Sequence, residues 1–170
     1  MRTAEDLDRA RVDCAEAGVV GFDTETRPAF RKGEMHLPCL AQVATARAVY
    51  LFPLRDAAVH AVLITLLGDP QVVKAGVGLA DDLRPLQQVF PFAEQNMLDL
   101  GRIARQHDLA QTGVRNLAGI VMGIRIPKGA RTSNWAAREL SAAQITYAAT
   151  DAWVCRELCL RFEALGWLPG

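Results

Sequence analysis

The sequence lacks the features of several common protein classes. No apolar run reaches the roughly 18 uncharged residues of a membrane-spanning helix, so we predict no membrane span. Residues 1–18 carry acids throughout and do not resemble a signal or transit peptide, which predicts a cytoplasmic protein. The four cysteines form no C-x-x-C pair and the three histidines are scattered, which disfavours a zinc site. Cys155 and Cys159, four residues apart in a predicted helix, are expected to be core thiols.

The sequence also has no net charge, because 19 basic side chains balance 19 acidic ones. The charge is nevertheless uneven. Residues 101–138 contain one acid, Asp108, and seven bases: Arg102, Arg105, Arg115, Arg125, Lys128, Arg131 and Arg138. Such a segment is typical of a surface that binds polyanions, and equally of a solvated basic surface. Composition leaves both interpretations open.

Hydrophobic periodicity predicts a mixed α/β domain that fills residues 1–170. Strands are predicted at 19–25, 39–45 and 48–54, the last two as an antiparallel pair, and then at 71–78 and 96–100. Helices are predicted from Thr3 to Gly18, at 57–68, 80–90, 100–107 and 114–123, and from Ser141 to about residue 165. Pro85 is placed in the first turn of its helix. Strands that alternate with helices imply a mixed sheet covered by helices.

Two acids, Asp23 and Glu25, end the first predicted strand in the stretch GFDTE. Side chains at positions i and i+2 of a strand point to the same face. Two carboxylates in a dry site repel, and each raises the pKa of the other. We therefore expect either a cation or open water between them.

Two further acidic motifs follow. Asp81 and Asp82 open the helix after Gly76-Val77-Gly78, where acids are ordinary N-terminal caps and the glycines lack the rest of a dinucleotide fingerprint. Tyr147 and Asp151, four residues apart, share one face of the last helix. A buried Asp151 bonded to Tyr147 or to the backbone is the structural alternative to a functional role.

The three acidic motifs, each next to a buried element, can converge on one point of the sheet. Four converging carboxylates repel strongly unless cations neutralise them. Their hard oxygen ligands suit Mg²⁺ or Mn²⁺ rather than zinc. Two such ions about 3.5–4 Å apart form the clamp used in phosphodiester hydrolysis.

These motifs resemble those of the DEDDy 3′→5′ exonucleases, the family of ribonuclease D and the Werner syndrome exonuclease domain. GFDTE is similar to the first motif, KAGVGLADDLRPL to the second, with Asp82 in the acidic position, and NWAARELSAAQITYAATDAW to the third. The resemblance covers nearly the whole chain. It implies an RNase H-like (DnaQ-like) mixed sheet whose first three strands are antiparallel, with helices on both faces.

The resemblance also implies a catalytic role for each motif residue. The activity would be 3′→5′ exonuclease cleavage with two divalent ions, Mg²⁺ or Mn²⁺, and release of nucleoside 5′-monophosphates. Asp23 would bind both ions, and Glu25 and Asp151 would bind the ion that carries the attacking water. Asp82 would bind the second ion, largely through water, and Tyr147 would orient the nucleophilic water.

Residues near the first and third motifs are expected to contact the substrate, the 3′ end of a single strand or duplex. Basic and polar side chains there would contact phosphates without sequence preference. Phe30 or Met35 would lie against the terminal base, unless it packs within its loop. The candidates are Thr24, Arg27, Phe30, Met35, Lys128, Arg131, Ser133 and Asn134.

The sequence departs from ribonuclease D in two respects. It ends at Gly170 without the helical HRDC domain, which predicts weak substrate affinity or help from a partner or a second subunit of a homo-oligomer. The stretch RPAFRKGE is closer to the stand-alone and Werner-type members, which favours DNA. Two alternatives remain at this point: an inactive nucleic-acid-binding module and a phosphodiesterase for very short oligonucleotides.

Overall fold

A mixed sheet lies at the centre of the computed structural model, which describes residues 3–127 and 129–168. Within those residues five strands follow the order β3-β2-β1-β4-β5. The strands are β1 (Val19–Glu25), β2 (Leu40–Ala44), β3 (Val49–Pro53), β4 (Val73–Gly76) and β5 (Met97–Asp99). β1, β2 and β3 pair antiparallel, whereas β4 and β5 run parallel to β1. The antiparallel arrangement predicted for the first three strands is confirmed.

Helices cover both faces of this sheet, as predicted. They are α1 (Ala4–Ala15), α2 (Ala57–Gly68), α3 (Leu79–Val89), α4 (Leu100–Gln106), α5 (Val114–Met122) and α6 (Ala142–Ala164). Val20 and Phe22 of β1 pack in one core cluster with α1, α2 and α3. A second cluster joins Ala75 of β4 to α4, α5 and α6, and it includes the predicted core thiols Cys155 and Cys159. Among the described residues, no helix combines the length and the apolar character needed to cross a membrane.

The helix boundaries follow from local sequence signals. Ser141 caps α6 with a capping box, in which its Oγ accepts from the Gln144 amide at 3.2 Å. Thr3 caps α1 in the same way. The position predicted for Pro85 is wrong: α3 begins at Leu79, so Pro85 lies in the helix interior. Because proline has no N–H, it cannot bond to the carbonyl four residues earlier.

The turn between β4 and α3 depends on glycine. Gly78 is the N-cap of α3 and has a φ of 73°, in the left-handed region that glycine occupies without strain. This turn ends β4 at Gly76, so the strand is shorter than the predicted range 71–78. The first turn of α3, with Asp81 and Asp82, therefore begins just beyond the end of the strand.

Close contact between β1 and α6 positions the functional site. A Cβ atom built on Gly21 would lie 1.9 Å from the carbonyl oxygen of Ala152 and 2.7 Å from the amide nitrogen of Arg156. Only glycine permits this approach of helix and strand. As a result Asp151 of α6 lies next to the end of β1.

Candidate active site

Three carboxylates converge where β1 ends beneath α6. Asp23 and Glu25 lie on the face of β1 that Gly21 turns toward the helix, because residues two apart share a face. Asp151 approaches them from α6. One carboxylate oxygen of each residue lies within 4.8 Å of those of the other two. The structure thus brings together three of the four carboxylates that the sequence predicted to cluster.

The carboxyl groups of this cluster resist ionisation, because burial and neighbouring negative charges raise their pKa values. Burial, followed by the charges of Asp82, Asp151 and Glu25, raises the pKa of Asp23 well above its usual value. Burial and the charge of Asp151 raise the pKa of Glu25 to about 8, although Arg131 opposes that increase. Burial also raises the pKa of Asp151. The site therefore concentrates negative charge that a bound cation would stabilise.

Asp82, the fourth carboxylate, lies beside the three. Its Oδ1 accepts from Thr24 Oγ1 at 2.5 Å, which ties the first turn of α3 to the end of β1. Burial raises the pKa of Asp82 to about 6, and the bond from Thr24 opposes that shift. Asp81, its neighbour in sequence, is exposed. The structure thus directs Asp82 rather than Asp81 toward the cluster.

Tyr147 lies one turn before Asp151 in α6, and its hydroxyl is close enough to the Asp151 carboxyl to oppose the rise in the pKa of that group. Burial and the charge of Asp151 raise the pKa of the phenol. Its ring contacts that of Trp135, with the centroids 5.9 Å apart. The tyrosine is therefore held from both its ring and its hydroxyl.

Two charged residues near the cluster were not assigned to the site from the sequence. Arg115 of α5 donates from Nη2 to the hydroxyl of Tyr147 at 3.5 Å, and its guanidinium carbon lies 5.7 Å from the ring centroid. Asp99 ends β5, where its Oδ1 accepts from the amides of Gly101 and Arg102, at 2.9 and 3.2 Å. In the sequence, the only signals for their position are the charge of Arg115 and the place of Asp99 at a predicted strand–helix junction.

The predicted substrate residues are only partly brought together. A groove of about 340 Å³ joins the loop after β1 to the segment before α6, and Arg27, Phe30 and Asn134 all line it. Phe30 is 88% exposed and Met35 is 90% exposed, so neither is packed within its loop. Lys128 lies outside the described residues.

Of the remaining substrate candidates, Arg131 and Thr24 lie near the carboxylates. Arg131 is near enough to Glu25 to lower its pKa. Thr24 is engaged with Asp82. Ser133 is half-buried, and its amide donates to the carbonyl of Ala130 at 2.9 Å, which shapes the turn before Asn134. Arg131 and Thr24 therefore place one basic and one polar side chain beside the acidic cluster.

Comparison with known proteins finds similar domains that match nearly the whole chain. The sequence profile of a family described as 3′-5′ exonuclease matches residues 1–166. The human "Exonuclease mut-7 homolog" is 32% identical over 91% of this chain, and ribonuclease D of Gluconacetobacter diazotrophicus is 33% identical over 89%. The chain spans only 21% and 38% of the lengths of these two relatives.

Solved structures share the fold. The Nibbler EXO domain of Aedes aegypti superimposes with a TM-score of 0.83 at 22% identity, over 95% of this chain and 84% of that one. Escherichia coli RNase D gives 0.80 at 23% identity, over 99% and 46%. Brucella melitensis NrnC, solved with bound Mg²⁺ and also bound to pGG, gives 0.74 and 0.73 at 22% identity, over 92% of this chain and 79% and 78% of that one. The RNase H-like architecture predicted from the sequence is confirmed.

Proposed function

Since this chain belongs to the 3′-5′ exonuclease family, we propose that it is a metal-dependent 3′→5′ exonuclease that releases nucleoside 5′-monophosphates from the 3′ end of nucleic acid. The observation that carries the proposal is the convergence of Asp23, Glu25 and Asp151, whose carboxylate oxygens lie within 4.8 Å of one another. Two buried acids and one half-buried acid this close together are unfavourable as a purely structural device.

The donor set fits hard divalent cations. Carboxylate oxygens are the ligands that Mg²⁺ and Mn²⁺ prefer, and the described residues of the cluster include no thiolate or imidazole ligand. Asp23, Glu25 and Asp151 would hold the cations, and Asp82, set apart by its bond to Thr24, would contribute through water. When bound, such cations supply an activated water and stabilise charge on the leaving 3′ oxygen. A magnesium-bound neighbour of the same fold supports this assignment.

The roles of the surrounding side chains follow from their contacts. Tyr147 has a raised pKa and remains protonated, so it acts as a hydrogen-bond donor and orienting group, not as a base. Arg115 fixes the hydroxyl of Tyr147 and adds positive charge next to the acids. Arg27, Arg131 and Asn134 would bind backbone phosphates, which provides affinity without sequence choice. Phe30, exposed at the groove, would contact the terminal base.

A second candidate substrate is a very short oligonucleotide. A solved neighbour of the same fold, matching 92% of this chain and 78% of its own length, is bound to pGG. A substrate of that size would occupy the cluster and the 340 Å³ groove without a further binding surface. Turnover of a dinucleotide at a higher kcat/KM than that of a long strand would favour this form of the activity.

The test is cleavage of a 5′-labelled single strand, as DNA and as RNA, with Mg²⁺, with Mn²⁺ and with EDTA. We expect a ladder that shortens stepwise from the 3′ end and disappears with EDTA. Asp82→Asn should reduce the rate strongly, whereas the matched control Asp81→Asn, an exposed acid in the same helical turn, should leave it nearly unchanged. Strand binding without cleavage in either metal would refute the proposal and support a binding module.

A further inference from the structure

Gln42 of β2 is a buried polar residue without a described partner. Its side chain is fully buried, and neither Oε1 nor Nε2 has a hydrogen-bond partner among the described residues. A carboxamide offers two donor hydrogens and two acceptor lone pairs. Buried polar groups are almost always satisfied, so an exception requires a specific explanation.

The register of the sheet places Gln42 next to the acidic cluster. In the antiparallel pairing of β1 with β2, Gln42 lies directly opposite Asp23. Residues opposite each other in such a pair share a face, with Cβ atoms about 4.5–5.5 Å apart. On its other side Gln42 pairs with Leu51 of β3, an apolar residue. Of its two cross-strand neighbours, only Asp23 therefore offers a polar side chain.

A second hydrogen bond would hold the Asp23 carboxylate in one orientation. Its Oδ1 accepts from the amide of Thr24 at 2.9 Å, which holds one carboxylate oxygen from the backbone. A donor aimed at its other oxygen would fix the orientation of the carboxylate toward a bound cation.

We propose that Gln42 is a positioning residue for the metal centre, whose Nε2–H group donates to the Asp23 carboxylate when the cluster binds divalent cations. This inference rests on the proposed metal-dependent function. It explains why a polar residue occupies a core position where a methionine or leucine would fill similar volume without an unpaired amide. Gln42 acts through Asp23 and does not itself touch substrate or cation.

The test is isothermal titration of the purified chain with Mg²⁺ and Mn²⁺ in the absence of nucleic acid. Gln42→Met and Gln42→Leu both remove the amide but differ in shape, and Leu51→Met is the matched control on the same face, one strand farther from Asp23. We expect both Gln42 variants to bind cations about 10- to 100-fold more weakly, and Leu51→Met to bind as the wild type does. In EDTA the Tm of the Gln42 variants should equal or exceed that of the wild type, since no described hydrogen bond is lost.

The outcomes separate this inference from the proposed function. A wild-type protein that binds no cation would overturn the proposed function and this inference with it. A wild type that binds, together with Gln42 variants that bind equally well, would overturn only the role of Gln42. A loss of affinity as large in Leu51→Met would assign the effect to core packing and would likewise overturn it.

Discussion

The close spacing between β1 and α6 predicts that Gly21→Ala will inactivate the site although it substitutes none of the acidic residues. The added Cβ would lie 1.9 Å from the carbonyl oxygen of Ala152 and 2.7 Å from the amide of Arg156. Both are backbone atoms of α6, so no side-chain rotation relieves the clash. Because carbon and oxygen atoms pack at about 3.5 Å, the helix must move by about 1.5 Å relative to the strand.

This displacement has a cost in stability and a larger one in activity. Overpacking of a core costs about 1–3 kcal/mol, and a clash between backbone atoms belongs at the upper end. About 3 kcal/mol corresponds to a Tm lower by roughly 6–12 °C for a chain of this size. The helix also carries Asp151 away from Asp23 and Glu25, which lie within 4.8 Å in the structure. A misplacement of about 1 Å in an active site costs on the order of 100-fold in rate.

Thermal melts and the strand-cleavage assay together test this prediction, with activity measured well below the Tm of the variant. The matched control is Gly18→Ala, just before β1, where an added Cβ meets no atom within 4 Å. We expect the control to melt within about 2 °C of the wild type and to retain its rate. A Gly21→Ala protein with wild-type Tm and activity would refute the close packing of α6 on β1 and the geometry derived from it.

Three further predictions concern charges in and near the core. Asp23→Asn should abolish cleavage yet raise the Tm in EDTA, because it removes a carboxyl whose ionised form is disfavoured by burial and by the charges of Asp82, Asp151 and Glu25; an unchanged or lower Tm would contradict this electrostatic strain. Lys74 is fully buried, donates to the carbonyl of Asp69 at 2.6 Å, and has a pKa lowered by burial to about 8. Between about pH 8 and pH 10.5 the unfolded chain binds more protons at this lysine than the folded chain does. The free energy of unfolding, measured with denaturant, should therefore increase by about 3 kcal/mol as the pH rises through this range. Lys74→Met should lack that increase, and the same increase in both proteins would assign it to other groups. Arg115→Met should lower kcat about 10-fold with little change in Tm, because Tyr147 loses the donor to its hydroxyl; the matched control is Arg102→Met on the exposed surface of α4, and equal losses in both variants would argue for a general charge effect.

Much of the fold was predictable because its signals are local. Capping boxes at Thr3 and Ser141 mark the start of α1 and α6 within the sequence itself. Short apolar runs identify β1 and β2, and the short connection between β2 and β3 favours their antiparallel pairing. The start of α3 was predicted to within one residue, since the helix begins at Leu79, but Pro85 lies six residues after that start and therefore not in the first turn.

The acidic residues of the site were equally visible, since each belongs to a short motif at the end of a strand or on one helix face. Asp23 and Glu25 share a face by strand geometry alone, and Tyr147 and Asp151 by helix geometry alone. The sequence also indicated that these motifs can converge on one point of the sheet, and the family resemblance supported that expectation. It determined the residue types, their local order and the charge that demands a cation.

Only the tertiary structure decided which residues from distant elements meet. Three contacts at the site join residues from different elements. They are the pairing of Asp23 with Gln42, the bond from Thr24 to Asp82 and the contact of Arg115 with Tyr147. Such partners depend on sheet register and on how closely α6 approaches β1, and both are fixed by long-range packing. A one-residue slip of β2 would send the side chain of Gln42 to the opposite face, which no local pattern in the sequence records.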